Sequence, residues 1–182
     1  TFEAFETMYI PERTHTNEHF LANLLRNDKD FINELDLIAT LDDEIVGNIM
    51  YSRCFINRSD GNETEAIVFG PLSVAPKYHN IGIGSRLVNE SLKIAKNMGF
   101  CAVLITGHPN YYNRFGFVPA SKFNIVMPDG SSFDAFMALE LKVGYLGSGG
   151  GIWKLCKSFE LCENKETYNK FHEQFLLDNK ET

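Results

Sequence analysis

An apolar run, a glycine-containing loop and an amphipathic stretch follow one another between residues 66 and 106, and this order constrains the fold most. The segment "AIVFGPLSV" (66–74) is apolar on both faces, which predicts a central strand of a sheet. Residues 84–98 have apolar side chains at helical spacing, and Gly99 is a typical helix stop. "CAVLIT" (101–106) predicts a second buried strand. The chain is therefore predicted to form a mixed α/β sheet with helices packed on it.

Pro71 interrupts the predicted central strand. Proline has no N–H to donate to a strand ladder, so it is expected at a sheet edge or at a bulge. We therefore expect the strand to separate from its neighbour near Pro71, which would splay the central sheet.

The rest of the chain predicts a single domain over residues 1–182, because it contains no internal repeat and no long linker. Residues 152–182 form a C-terminal extension with a helical tail, in which Tyr168, Phe171, Phe175 and Leu176 recur at helical spacing. The tail is expected to dock on the domain, with a homodimer surface as the alternative. Further predicted elements are a helix at 17–28, a hairpin of strands 37–41 and 45–52 turning at Asp42-Asp43, a polar loop at 57–64, a loop with one helical turn and a short strand at 107–120, a strand at 132–141 and a flexible loop at 144–151.

Charge and composition exclude several functional classes. The net charge of −7 argues against nucleic acid as the main partner, although a helix N-terminus can still bind an anion locally. No apolar run approaches the ~20 residues that span a bilayer, so no membrane association is predicted. The first ten residues lack the features of a signal peptide, and the missing initial methionine is compatible with a fragment or a processed chain.

The cysteines and histidines do not predict a metal site. The cysteines of the chain are Cys54, Cys101, Cys156 and Cys162, and no two of them have CxxC spacing. We interpret them as small buried groups in a reducing compartment, so the predicted location is the cytoplasm. His15 and His19 are four residues apart, but no third ligand has metal spacing to them.

Two glycines, Gly82 and Gly84, precede the predicted helix at 84–98 and suggest a phosphate-binding loop. A dinucleotide fingerprint would need a third glycine where Leu87 stands, and it would directly follow a strand, whereas this strand ends near Val74. A P-loop would need a lysine between Gly84 and its serine, and none is present. Neither common phosphate motif therefore fits.

The block "GPLSVAPKYHNIGIGSRLVNESLKIAKNMGF" resembles the acetyl-CoA-binding core of the GNAT acetyltransferase superfamily. Gly82 and Gly84 match its Gln/Arg-x-x-Gly-x-Gly/Ala loop, with His79 in the position usually held by glutamine or arginine. A second block, "ITGHPNYYNRFGFVPA", is similar to the later family motif in which a tyrosine, here Tyr112, stands four residues before Gly-Phe. The resemblance covers about residues 17–142 and is closest to a bacterial-type branch. The segment "TFEAFETM" corresponds to the family's first helix, so the resemblance implies that the family's first strand is absent from this sequence.

The resemblance implies an N-acetyltransferase that uses acetyl-CoA as cosubstrate, needs no metal and acts on a primary amine by direct attack. Tyr112 would be the catalytic acid that protonates the leaving thiolate, and Tyr111 would pack or line the pocket. A backbone N–H near Val74 would stabilise the oxyanion. The predicted cofactor-binding residues are Leu72, Ser73, Val74, His79, Asn80, Ile81, Gly82, Ile83, Gly84 and Ser85.

Several alternatives stay open from the sequence. Glu34, Glu63 and Glu65 are candidate general bases, but for each of them a solvated loop carboxylate is the favoured interpretation. The chain could instead be a non-catalytic module that senses or binds acyl-CoA, or, less in keeping with its glycine pattern, a nicotinamide-binding protein. The sequence does not identify the amine acceptor.

Overall fold

The computed structural model describes residues 1–6 and 16–178. Its helices are α1 (Phe2–Glu6), α2 (Glu18–Arg26), α3 (Ile83–Asn97), α4 (Pro109–Tyr112), α5 (Lys157–Leu161) and α6 (Lys165–Asp178). Its strands are β1 (Leu37–Leu41), β2 (Glu44–Asn57), β3 (Glu63–Val74), β4 (Ala102–Thr106), β5 (Val118–Pro119), β6 (Ile125–Val126), β7 (Phe136–Glu140) and β8 (Gly151–Lys154). Short 3₁₀ turns include Asn33–Leu35, Pro76–Tyr78 and Asn113–Phe115.

These strands form one mixed sheet in the order β5-β7-β4-β3-β2-β8-β6, with β1 also paired to β2. Strands β3 and β4 are parallel, whereas β3 is antiparallel to β2 and β4 is antiparallel to β7. The predicted mixed α/β architecture, with a central strand at 66–74, is confirmed. The predicted hairpin is also confirmed, since Leu41 pairs with Glu44 and both Asp42 and Asp43 have positive φ.

The sheet splits between β3 and β4, as the position of Pro71 predicts. The two strands pair only at Ile67 with Val103 and at Val68 with Leu104. On the other edge of β3, residues Gly70 and Pro71 together oppose one residue of β2, which makes a bulge in β3. Beyond the bulge, β3 continues to Val74, and no described strand pairs with it on the side of β4.

Helix α3 packs on the face of the sheet that surrounds this split. Its buried residues Leu87, Val88 and Ala95 belong to the same apolar cluster as Ile67 and Val103. One buried polar contact adds to this packing, because the Tyr51 hydroxyl lies 2.8 Å from the Ser91 hydroxyl. Helix α3 is thereby held with its N-terminus beside the free end of β3.

The C-terminal segment is part of the sheet and of the core. Strand β8 pairs with the distal end of β2, from Phe55 with Lys154 to Asn57 with Ile152. Helix α6 packs on α2 through Tyr168 and Phe171, which confirms that the tail docks on the domain.

Some predicted boundaries differ from the structure. Strands β2 and β3 are longer than predicted, so the polar loop at 57–64 shortens to a turn. The predicted helix at 17–28 and the predicted strand at 132–141 are both shorter in the structure. The glycine-rich loop at 144–151 was expected to be flexible, but Arg58 donates hydrogen bonds to its Leu146 and Gly150 carbonyls.

Within residues 1–6 and 16–178, no helix has the length and apolar character to cross a bilayer. The same residues contain no group of three or more histidine, cysteine, aspartate or glutamate side chains arranged to hold a metal ion. His15, half of the histidine pair in the sequence, lies outside the described residues.

Candidate functional site

A cleft of about 470 Å³ opens where the free end of β3, the N-terminus of α3 and helix α4 meet. No lining residue in the described part of the chain is acidic, although the whole chain carries 24 acidic residues. The lining of the cleft therefore carries no negative side chain, in contrast to the acidic chain as a whole. Its lining residues are Ala4, Phe5, Leu72, Ser73, Val74, Tyr78, His79, Asn80, Gly82, Ile83, Gly84, Ser85, Tyr111 and Arg114.

The loop before α3 exposes the first N–H groups of the helix to the cleft. Asn80 and Gly82 both adopt left-handed backbone conformations, with φ of 62° and 93°. The first helical hydrogen bond runs from the Arg86 N–H to the Gly82 carbonyl. The N–H groups of Ile83, Gly84 and Ser85 precede it, and they have no partner within the helix. Together with the positive end of the helix dipole, these groups give the start of α3 the chemistry that suits an anion.

The two glycines of this loop are needed for different reasons. Nothing lies within 4 Å of a Cβ placed on Gly82, so its positive φ alone favours glycine. A Cβ on Gly84 would lie 2.9 Å from the Tyr111 hydroxyl oxygen. Glycine at position 84 therefore lets the ring of Tyr111 lie close against the start of α3.

The free edge of β3 presents main-chain groups to the split. The Ala75 N–H bonds to the Val46 carbonyl of β2, so Val74 and Leu72 point their main-chain groups the other way. The Val74 carbonyl accepts a hydrogen bond from His79 Nε2 at 2.7 Å. Position 79 thus ties the loop to the strand, which the sequence did not predict.

Ser73 lies on the cleft wall, but its hydroxyl is engaged elsewhere. It donates a hydrogen bond to the side-chain oxygen of Asn48 on β2, and this oxygen also accepts one from the Thr1 hydroxyl at 2.9 Å. The Ser73 side chain therefore fixes β3 to its neighbours.

Tyr112 lies across the point where β3 and β4 diverge. Its ring centroid is 5.7 Å from that of Phe69, the last residue of β3 before the bulge. On the other side, its ring packs so closely on Gly107, just after β4, that a Cβ there would come within 2.2 Å of it. Burial raises the pKa of the Tyr112 hydroxyl, with a smaller contribution from Tyr111, so the group keeps its proton at neutral pH.

Tyr111 faces the cleft, as predicted, and its ring stands perpendicular to that of Tyr112 at a centroid distance of 4.9 Å. Tyr112 itself is not a lining residue of the cleft. Two adjacent tyrosines therefore occupy two different environments, one beside α3 and one at the split.

Most predicted binding residues come together in the cleft, and Ile81 is the exception. Its side chain is 64% exposed and lines a separate groove between β1 and α3. The structure also contributes Ala4, Phe5, Tyr78 and Arg114, which sequence reasoning did not assign. The helical spacing of Tyr111 and Arg114, three residues apart, was the signal available for Arg114.

The three candidate bases do not reach the cleft. Glu63 pairs with Lys154 at 2.7 Å and Glu65 pairs with Arg53 at 3.1 Å. Since each strand residue advances about 3.3 Å, both carboxylates lie on the order of 30 Å from the end of β3. Glu34 precedes β1 and does not line the cleft either.

Comparison with known proteins identifies one family throughout. The model of the acetyltransferase (GNAT) family matches residues 2–117. The uncharacterized N-acetyltransferase YjhQ of Escherichia coli K12 is 31% identical over 87 residues, which are 48% of this chain and 48% of that protein. The uncharacterized N-acetyltransferase YhbS of the same strain is 32% identical over 92 residues, 50% of this chain and 53% of YhbS. The chain thus spans about half the length of the curated relatives it matches.

Two solved structures have the same fold. A crystal structure of YhbS from Escherichia coli in complex with CoA superimposes with a TM-score of 0.70 and 28% identity, covering 79% of this chain and 78% of that one. A GNAT family acetyltransferase from Brucella melitensis in complex with acetyl-CoA has a TM-score of 0.60 and 24% identity, covering 87% and 86%. The second similarity concerns the fold alone.

Proposed function

Because the chain belongs to the acetyltransferase (GNAT) family, we propose that it transfers an acetyl group from acetyl-CoA to a primary amine. One observation carries the proposal: a cleft without acidic lining joins the N–H groups that begin α3 to the unpaired edge of β3. The first part suits a diphosphate, and the second suits an extended arm that carries amides.

The residues present fit coenzyme A. The N–H groups of Ile83, Gly84 and Ser85 would hold the diphosphate, and the loop glycines keep side chains out of its way. The main-chain groups of Leu72 and Val74 would pair with the pantetheine arm. His79 already bonds to the Val74 carbonyl, so the arm would either exchange this bond or use the remaining groups.

When bound, acetyl-CoA would supply an acetyl group activated as a thioester. A neutral amine would attack the carbonyl carbon, the C–S bond would break, and the amine would lose a proton to solvent. Tyr112 would donate its hydroxyl proton to the departing sulfur and then be reprotonated from solvent. A free main-chain N–H of β3 close to the bulge would stabilise the negative charge that develops on the carbonyl oxygen, because Val74 itself lies about 15 Å along the strand from Phe69, on which Tyr112 packs. Burial raises the pKa of Tyr112, so its hydroxyl is protonated and available at the working pH but is a weaker acid than an exposed tyrosine.

The wider setting follows from the same proposal. We propose that the chain acts as a single domain in the cytoplasm, without a metal, on a small or peptidic amine. Nucleic acid and membranes are not expected partners, since the acidic net charge disfavours anionic polymers.

The proposal is tested by thiol release from acetyl-CoA across a panel of amines, with acetyl-CoA binding measured separately by calorimetry. Tyr112→Phe should lower kcat by about 10²–10⁴-fold while binding changes little. Tyr145→Phe is a matched control, because its hydroxyl bonds to the Glu65 carbonyl near the distal end of β3. Equal rates for wild type and Tyr112→Phe would exclude Tyr112 as the acid.

The same measurements separate the alternatives that the sequence left open. Binding of acetyl-CoA without thiol release for any amine would favour a non-catalytic acyl-CoA module. Stabilisation by NADH but not by acetyl-CoA would contradict the proposal altogether and indicate a nicotinamide-binding protein.

A further inference from the structure

Arg114 is a cation at the rim of the cleft, and it forms no ion pair with any described residue. It lies in the 3₁₀ turn Asn113–Phe115, three residues after Tyr111, and its side chain is exposed. In the described part of the chain, no carboxylate lies within ion-pair distance of its guanidinium group. Its polar contact is a long one, from Nη2 to the Asn110 carbonyl at 3.5 Å. A guanidinium in this setting is available to a ligand.

The other cationic side chains near the cleft either pair with a carboxylate or point into a different groove. Lys77 is bonded to both carboxylate oxygens of Glu44 at 2.8 Å. Arg86, in the first turn of α3, lines the separate groove between β1 and α3. Among the described lining residues of the cleft, Arg114 is therefore the one that is permanently charged, while His79 is tied to β3.

The ring of Tyr111 connects Arg114 to the start of α3. The guanidinium carbon lies 4.8 Å from the Tyr111 ring centroid, a cation–π contact. The hydroxyl of the same ring is the atom that a Cβ on Gly84 would meet at 2.9 Å. Tyr111 thus bridges the gap between Arg114 and the N–H groups of Ile83, Gly84 and Ser85, so both face the same end of the cleft.

We propose that Arg114, oriented by the ring of Tyr111, binds the diphosphate of acetyl-CoA together with the N-terminus of α3. The inference rests on the proposed function. The helix terminus supplies only about half an elementary charge, whereas a diphosphate brings two negative charges to a protein of net charge −7. A guanidinium, with its planar set of donors, supplies the missing charge and binds phosphate oxygens in pairs.

The ring contact also explains why arginine suits this position. A planar guanidinium stacks on an aromatic face and loses little further freedom when it binds a phosphate. A lysine at position 114 would keep the charge but not the stacked geometry. The Arg114→Lys variant should therefore bind CoA more weakly than wild type does and more tightly than the Arg114→Gln variant does.

The test is calorimetric binding of three probes: CoA, 3′-dephospho-CoA and S-acetylpantetheine. Arg114→Gln should weaken CoA and 3′-dephospho-CoA equally, by about 10-fold (about 1.4 kcal/mol), and should leave S-acetylpantetheine unchanged. The matched control is Arg86→Gln, which removes the same charge from the neighbouring groove and should change CoA affinity less than twofold. Circular dichroism and thermal melting confirm that each variant is folded.

A second pair of variants tests the role of the ring. Tyr111→Leu removes the platform and should weaken CoA by about 3-fold, whereas Tyr111→Phe keeps the ring and should stay near wild type. In the Tyr111→Leu background, Arg114→Gln should weaken CoA binding by a smaller factor than it does in the wild-type background, because the two residues act together.

The outcomes separate this inference from the proposed function. If wild type binds neither CoA nor acetyl-CoA, the proposed function is wrong and the inference about Arg114 is wrong with it. If wild type binds CoA but Arg114→Gln behaves like Arg86→Gln, only the inference fails. A loss seen with CoA but not with 3′-dephospho-CoA would overturn the diphosphate assignment, and so would an equal loss with S-acetylpantetheine.

Discussion

Two aromatic clusters in this molecule have a similar size but a different origin. The cleft cluster consists of Phe69, Tyr111, Tyr112, Phe115 and Phe117. The terminal cluster consists of Phe2, His19, Tyr168, Phe171, His172 and Phe175, from helices α1, α2 and α6. Four members of the first fall within seven consecutive residues, whereas the second joins residues that are more than 150 positions apart.

The difference in origin matches a difference in chemistry. The cleft cluster contains two tyrosine hydroxyl groups, and the exposed guanidinium of Arg114 lies against the Tyr111 ring beside a helix terminus. The terminal cluster holds two histidines, with His19 Nε2 lying 3.2 Å from His172 Nδ1. Burial, followed by the charge of His172, lowers the pKa of His19 to about 4. The first cluster therefore borders the cleft in which we propose that a ligand binds, whereas the second joins the first and last described helices of the chain.

The largest effect is expected from Gly107→Ala, which would damage the cleft cluster. The added Cβ would come within 2.2 Å of the Tyr112 ring, and Phe69 and Phe117 leave that ring little space to move. We expect a loss of about 1–3 kcal/mol in the free energy of unfolding and a fall in kcat of about 100-fold. Urea unfolding and thiol-release kinetics measure the two effects.

Gly149→Ala is the control for this change, because nothing lies within 4 Å of a Cβ at that position. It should alter stability by about 0.5 kcal/mol or less. A Gly107→Ala variant with normal turnover would show that the position of the Tyr112 ring does not matter for the reaction.

The terminal cluster should make stability depend on pH. The folded pKa of His19 is about 4, below the ordinary value of about 6.5, so the unfolded chain binds more protons between these values. This contribution to stability is complete above pH ~6.5 and is lost as the pH falls towards ~4. We expect the free energy of unfolding to fall by about 1–2 kcal/mol over this window. This is less than the full pKa shift would give, because His19 borders a groove where water screens its charge.

His19→Phe tests this prediction, since it keeps an aromatic ring but cannot titrate. The variant should lose less stability than wild type between pH 7 and pH 4.5 in urea unfolding, and its affinity for acetyl-CoA at pH 7.5 should be unchanged. Parallel pH dependences in the two proteins would mean that His19 does not carry the effect, and the contrast between the clusters would weaken.

The smallest effect is expected at Tyr51, which lies beneath the cleft cluster at 5.1 Å from Phe69. Tyr51→Phe removes the hydrogen bond to Ser91, whose hydroxyl keeps its bond to the Val88 carbonyl. We expect a loss of about 1 kcal/mol in unfolding free energy and no change in CoA affinity. A large loss of CoA affinity would mean that this buried contact sets the position of α3.

The sequence predicts the cleft better than the terminal cluster for a physical reason. The loop at Gly82 and Gly84, the bulge at Pro71 and the placement of Tyr111 all depend on local backbone conformation, which residue type reveals. The contact between His19 and His172 depends on how distant helices pack, and no local pattern reports that. The same limit explains why Glu34, Glu63 and Glu65 are candidate general bases in the sequence, since their separation from the cleft becomes clear only in the folded sheet.

The bulge at Gly70 and Pro71 has a consequence for redesigning the proposed activity. Past the bulge, Leu72 and Val74 offer peptide groups to the split, and peptide groups are the same whatever side chain they carry. Exchanging one apolar side chain for another at these two positions should therefore leave the proposed main-chain pairing with the pantetheine arm intact. Both positions can thus be varied in a search for a different acyl-group preference.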